Sequence, residues 1–185
     1  MEQTPAETSA AAEGVERPTS AQKKMKVLVA VDESDGSFYA LRWALDHLFT
    51  GSQPQAQEPN TITLVNVQPV FQPFIYPAGP VVYATPAVID SVKKAQEQNA
   101  ANILGRGLRI CKEKKVKAET LILEGDPKDR ICQAAEQLQV DLVVVGSRGL
   151  GTIKRALLGS VSNYCAHHAH CPILIVKPPP KLSHE

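Results

Sequence analysis

Apolar positions along this chain follow two rhythms that alternate: short unbroken runs, and longer stretches in which they recur at helical spacing. Lys26-Val-Leu-Val-Ala-Val31 is continuous and β-branched, which suits a parallel strand covered on both faces. A polar turn over Asp32 to Ser37 follows, after which Phe38, Leu41, Trp43, Ala44, Leu45 and Leu48 fall on one side of a helix. Thr61 to Val67 predicts a second strand and Val116 to Leu123 a third. Between these two strands, Val88, Val92, Ala95, Ala100, Ile103, Leu104, Leu108 and Cys111 mark a long helix. Gly125-Asp126-Pro127 has the grammar of a helix start, with Asp126 as N-cap and Pro127 at the first helical position, where no amide donor is needed. Ile131, Ala134, Ala135 and Leu138 would form the buried stripe of that helix. Asp141 to Gly146 and Pro172 to Lys177 predict the fourth and fifth strands, with a helix from Ser160 to Ala169 between them. Such alternation implies an α/β fold, a single open parallel sheet of five strands with helices on both faces. Crossovers in such a sheet are right-handed, and ligands gather beyond the carboxyl ends of the strands where the winding reverses.

The interruptions divide the chain further. Residues 1–24, rich in Ala, Thr, Ser and Glu, predict a disordered leader, and 25–178 a single domain followed by a flexible tail over 179–185. Gln68 to Pro86 holds Pro69, Pro73, Pro77, Pro80 and Pro86, so this insertion is neither a central strand nor a regular helix. Its Phe71, Phe74, Tyr76 and Tyr83 can cover a base or a partner, although a plain surface loop explains them as well.

Charge and cysteine content narrow the function. Lys plus Arg (20) nearly balances Asp plus Glu (19), which argues against nucleic-acid binding driven by counterion release. No apolar run is long enough to cross a membrane. Cys111, Cys132, Cys165 and Cys171 are scattered through helical and strand patterns without an export signal, which predicts reduced, mostly packed thiols in the cytoplasm, with the nucleus also open to the protein. Cys165-Ala-His167-His168-Ala-His170-Cys171 has zinc-like composition, but its spacing matches no standard four-ligand set, and burial with helix-end capping explains it better.

The densest chemical signal is the loop after the fourth strand. Gly146-Ser-Arg-Gly149-Leu-Gly-Thr runs on to Gly159-Ser160, where the next helix begins. Glycines permit positive φ and let backbone amides approach an anion, and a helix N-terminus adds unpaired N–H groups and partial positive charge. Phosphate is the expected guest, with Ser160 as N-cap and hydroxyl donor, and with Ser162 and Asn163 adding polar groups in the first turn. Arg148, Lys154 and Arg155 can neutralise it or simply be solvated. Asp32, at the end of the first strand, can accept from ribose hydroxyls or cap the first helix. There is no G-x-x-x-x-G-K-[ST], and no G-x-G-x-x-G after the first strand, so neither a P-loop nor a dinucleotide-binding fingerprint is supported.

With these residues in view the chain resembles the universal stress proteins, in particular plant members of the ATP-binding subgroup. Their G-x2-G-x9-G-[ST] pattern is met by Gly146, Gly149, Gly159 and Ser160, and the similarity runs from about Lys26 to Lys177. The resemblance implies the Rossmann-like fold of the adenine nucleotide alpha hydrolases, with strand order 3-2-1-4-5. It further implies that Val31 and Asp32 flank an adenosine, that the Val67 backbone addresses the adenine edge, and that Val145 and Gly146 line the pocket. Gly149, Gly159, Ser160, Val161 and Ser162 would hold phosphate. ATP or AMP, a divalent cation such as Mg2+ on the phosphates, and a homodimer through Ile173 to Val176 are the implied ligands and partner. A nucleotide-dependent sensor or regulator, a slow ATPase with Asp32 or Asp126 as candidate base, and a nucleotide-independent chaperone-like protein are three functions compatible with these residues.

Overall fold

The computed structural model describes residues 25–49, 61–70, 85–149 and 158–179. The leader, most of the Pro-rich insertion with its aromatic residues, Lys154, Arg155 and the end of the tail lie outside the described residues.

Five strands and four helices alternate: β1 (Lys26–Ala30), α1 (Asp35–Leu48), β2 (Thr61–Gln68), α2 (Pro86–Glu113), β3 (Ala118–Glu124), α3 (Pro127–Gln137), β4 (Leu142–Gly146), α4 (Ser160–His168) and β5 (Ile173–Val176). All the strand pairs are parallel, in the order β3-β2-β1-β4-β5. The winding therefore reverses between β1 and β4, whose carboxyl ends lie side by side in the middle of the sheet.

Strand alternation sends successive side chains to opposite faces. Val27, Val29, Ile62, Leu64 and Val144 join Phe38, Leu41, Ala44, Leu45, Ile103, Leu104, Ile110 and Cys111 in a core under α1 and α2. Leu28, Val65, Val143 and Val145 pack with Ile131, Ala134, Ala135, Val140 and Cys165 under α3 and α4. Trp43 is half-buried against the first core and stacks on His47, with ring centroids 4.2 Å apart. Leu138 departs from its expected burial. It lies just past the end of α3, as the C-cap residue, and is 40% exposed.

The helix starts follow the sequence signals. Ser34 caps α1, its hydroxyl accepting from the Ser37 N–H at 3.2 Å. Thr85 precedes Pro86 at the head of α2, and the Asp126 carboxylate accepts from the Lys128 N–H with Pro127 in the first turn of α3. Helix α2 has 28 residues and β2 has eight. At 1.5 Å and about 3.3 Å per residue, the helix outruns the strand by roughly 15 Å. Its buried residues, from Ala100 to Cys111, all lie in the C-terminal half.

Candidate functional site

A cavity of about 460 Å3 opens at the carboxyl ends of β1, β2 and β4, between α3 and α4. Val31, Asp32, Val67, Val145, Gly146, Arg148, Gly149, Gly159, Ser160, Val161 and Ser162 all line it. Residues separated by up to 131 positions thus meet where the sheet reverses its winding, the usual ligand position in an open α/β sheet. Ser37, Asn66 and Ile131 also border the cavity; the sequence placed Ser37 in a polar turn and Ile131 in a buried helix stripe, and assigned none of the three to the site.

The glycines work differently from the sequence expectation. Among the described glycines only Gly125 has a positive φ, so Gly146, Gly149 and Gly159 are not needed for left-handed backbone. Close approach is the reason for two of them. A Cβ on Gly146 would stand 3.0 Å from the Gly36 backbone, and a Cβ on Gly149 would stand 2.8 Å from Asp32 Oδ2. From the other side, a Cβ on Gly36 would meet the Arg148 carbonyl oxygen at 2.7 Å. The exit of β4 is therefore pressed against the first turn of α1, and side chains are excluded from the seam. At Gly159 the nearest atoms to an added Cβ lie at 3.4 Å, an ordinary contact.

Gly159, not Ser160, is the N-cap of α4, and Ser160 is the first helical residue. Glycine at the cap supplies no side-chain acceptor for the first-turn amides. The Gly159 N–H donates to the Ser147 carbonyl at 2.7 Å, and the Asn163 N–H donates to the Gly159 carbonyl at 2.9 Å to close the helix. The amides of Ser160, Val161 and Ser162 belong to the first turn, where an α-helix supplies no acceptor of its own. The Ser162 hydroxyl faces inward, 3.2 Å from the Ser147 carbonyl and 3.0 Å from that of Gly159. That leaves its amide, not its hydroxyl, as the group it could offer to an anion. This end of α4 fits a negatively charged group, because amides and helix dipole point the same way and the cap residue, a glycine, brings no side-chain acceptor of its own.

Asp32 serves the scaffold and borders the cavity at once. Its Oδ1 accepts from the Ser34 N–H at 3.0 Å and from the Ser34 hydroxyl, holding the residue that caps α1, while Oδ2 lies toward Gly149. The Asp32 N–H donates to Ser37 Oγ at 3.2 Å. Beneath the β1 exit, Asn66 donates through Nδ2 to the Val31 carbonyl at 2.8 Å and accepts at Oδ1 from Gln68 Nε2. Both amide side chains are buried. The pair fixes the carbonyl at the turning point of β1, and the Val31 N–H is held by the Val65 carbonyl at 2.9 Å.

The cysteine and histidine segment shows no metal geometry. Among the described residues no group of three or more His, Cys, Asp or Glu side chains converges on a metal position. His168 stacks on Tyr164 and its Nδ1 lies 2.9 Å from the Tyr164 carbonyl, a helix-end role. All four cysteines are free thiols, with Cys111 and Cys165 buried. No helix among the described residues is long and apolar enough to cross a membrane.

Known proteins can now be set beside this geometry. The universal stress protein family model matches residues 24–177. A universal stress protein A-like protein of Arabidopsis thaliana is 31% identical over 161 residues, covering 82% of this chain and 89% of the relative. The universal stress protein YxiE of Bacillus subtilis is 34% identical over 152 residues, covering 82% and 98%. Among solved structures, a universal stress protein family protein from Arabidopsis thaliana with AMP bound superimposes with a TM-score of 0.58 at 29% identity, covering 84% of this chain and 92% of the other. The sheet order thus stands beside a family match along most of the chain: it belongs to the universal stress protein family.

Proposed function

We propose that this protein binds an adenine nucleotide, AMP or ATP, in the cavity between β1 and β4, and acts as a sensor or regulator whose state follows occupancy. The observation that carries the reading is the uncapped start of α4, whose amides border a cavity of about 460 Å3 together with Asp32 and the β4 exit. That volume lies within the ordinary range for small-molecule and cofactor sites, roughly 300 to 1,000 Å3. The AMP bound by the Arabidopsis neighbour supports the choice of ligand class.

In this reading phosphate rests on the amides of Gly149, Ser160, Val161 and Ser162 beside Gly159, with Arg148 adding positive charge. Asp32 accepts from a ribose hydroxyl, Val31 flanks the adenosine, Val67 offers its backbone to the adenine edge, and Val145 and Gly146 form the floor. With ATP, Mg2+ would sit on the phosphates. The reading extends to a homodimer through β5, an edge strand whose Ile173, Leu174 and Ile175 are only half-buried, and to a cytoplasmic or nuclear site of action.

Freshly purified protein, denatured and analysed by chromatography, should release AMP, ADP or ATP. The same protein, stripped of ligand, should gain thermal stability with added nucleotide, equivalent to about 2.7 kcal/mol at a hundredfold excess over Kd. An empty eluate together with an unchanged Tm in millimolar AMP, and in millimolar ATP with magnesium, would sink the proposal. Sedimentation as a monomer at micromolar concentration would remove the dimer alone.

A further inference from the structure

Away from the large cavity, α3 and α4 bring two thiols together. Cys132 Sγ lies 3.7 Å from Cys165 Sγ, although 33 residues separate them in sequence. Cys165 is sealed in the core, whereas Cys132 is half-buried and borders a second cavity of about 250 Å3. That cavity is lined by Asp129 and Glu136 of α3, Tyr164 and His168 of α4, and His170 beyond it. One sulfur is therefore reachable from solvent, and its neighbour waits directly behind it.

We propose that Cys132 and Cys165 are a redox-active pair, oxidised to an intramolecular disulfide by a small hydroperoxide that enters through the second cavity. In the first step the Cys132 thiolate attacks the terminal peroxide oxygen and the O–O bond breaks. The departing oxygen takes up a proton to leave as an alcohol, or as water from hydrogen peroxide, and Cys132 becomes a sulfenic acid. In the second step Cys165 sulfur attacks the sulfenic sulfur, the S–O bond breaks, and water leaves with the Cys165 proton. Two thiols thus give up two electrons and two protons, and one hydroperoxide becomes one alcohol and one water. Closing the sulfur separation from 3.7 Å to a bond of about 2 Å asks for side-chain rotation within the α3–α4 contact.

The order of attack follows from the surroundings. Burial is the main cause that raises both thiols above the usual 9.0, and with Cys132 and then Cys171 adding to it Cys165 is pushed up to about 12. The Cys165 contact lowers Cys132, because an S–H at this distance stabilises a thiolate there, while Asp129 opposes it. Cys132 is therefore the first to ionise. Thiolate is scarce at neutral pH, so the reaction is slow and speeds up as pH rises. The new bond would tie α3, which carries Pro127 and Ile131 of the large cavity, to α4, which carries Ser160 to Ser162.

The full-length reduced protein should be treated with millimolar hydrogen peroxide, alkylated, digested and mapped by mass spectrometry. The expected product is a peptide pair linked through Cys132 and Cys165, removed by a dithiol reductant, and formed about tenfold faster at pH 8 than at pH 7. Cys171→Ser should retain the link. Cys165→Ala should instead accumulate a sulfenic acid at Cys132 that a cyclic dione captures. A link between Cys132 and Cys171, or unlinked sulfinic acid at Cys132 in the wild-type chain, would overturn the proposal; so would unmodified Cys132 and Cys165 under conditions that oxidise Cys171.

Discussion

Under α1 and α2 the sheet buries Phe38, Leu41, Leu45, Phe49, Ile62, Leu64 and Leu104, large side chains that fill the space between the layers. Under α3 and α4 it buries, among the described residues, Ala134, Ala135, four valines and Cys165 with Leu28 and Ile131, while Leu121, Leu123, Ile173 and Ile175 pack against them only partly buried. Both cavities draw on α3 and α4, and α2 contributes to neither. Tight packing thus dominates one face of the sheet and open space the other, with Ser37 of α1 and Asn66 reaching the large cavity at the strand ends. Side chains on the filled face fix the fold, and smaller ones opposite leave a hollow where β1 and β4 diverge.

The first way to break this contrast is to empty the filled face. Phe38→Ala removes a ring that is 1% exposed and should cost about 3 to 5 kcal/mol, read from denaturant unfolding. A cost below 1 kcal/mol would mean that this face already contains slack. Adding volume reverses the test. Leu41→Phe should cost about 1 to 3 kcal/mol because its surroundings have no room. Ile131→Phe can extend into the 460 Å3 cavity, and should cost less than about 1 kcal/mol while abolishing nucleotide binding in calorimetry. Equal costs at the two positions would remove the distinction.

A pH titration sharpens it. Burial on the filled face pushes the Cys111 thiol from 9.0 up to about 11. Above pH 9 the unfolded chain releases this proton while the folded chain keeps it, so stability is complete below pH 9 and falls as pH rises through about 11. The loss attributable to Cys111 should reach about 1 kcal/mol near pH 10 and be missing from Cys111→Ala. The smallest expected change in stability is at the start of α4. Gly159→Asp supplies the acceptor that the helix lacks, and should stabilise the ligand-free protein by about 0.5 kcal/mol. The same carboxylate would occupy the anion position, so nucleotide affinity should fall more than tenfold. Stability and affinity both rising would place the phosphate elsewhere.

Sequence alone carried the five strands and their order, because each strand is a bounded apolar run and the resemblance supplied the winding. Loop chemistry picked out Asp32, Gly146, Arg148, Gly149, Gly159, Ser160 and Ser162, the resemblance added Val31, Val67, Val145 and Val161, and all eleven border one cavity. Two local readings failed for physical reasons. Ser160 looked like a cap because serine favours that position, yet Gly159 takes it, and a glycine cap brings no side-chain acceptor. The loop glycines suggested positive φ, whereas two of them are small so that backbones and Asp32 can meet. Asn66 and Gln68 did leave a signal: two amides on alternate positions of a strand share one face with Ile62 and Leu64, where burial demands partners. No such trace exists for Cys132 and Cys165, whose meeting depends on how α3 lies against α4.

Helix α2, whose buried residues begin only at Ala100, carries a kinetic implication. Its first half is held by the Thr85 and Pro86 start and by exposed polar contacts, Gln96 Nε2 donating to the Pro69 carbonyl at 3.0 Å and Asn99 to Glu33, its second half by the core. Amide protons before Gln98 should therefore trade with deuterium through local fraying, while those from Ile103 onward wait for global opening: one continuous helix, running on two clocks.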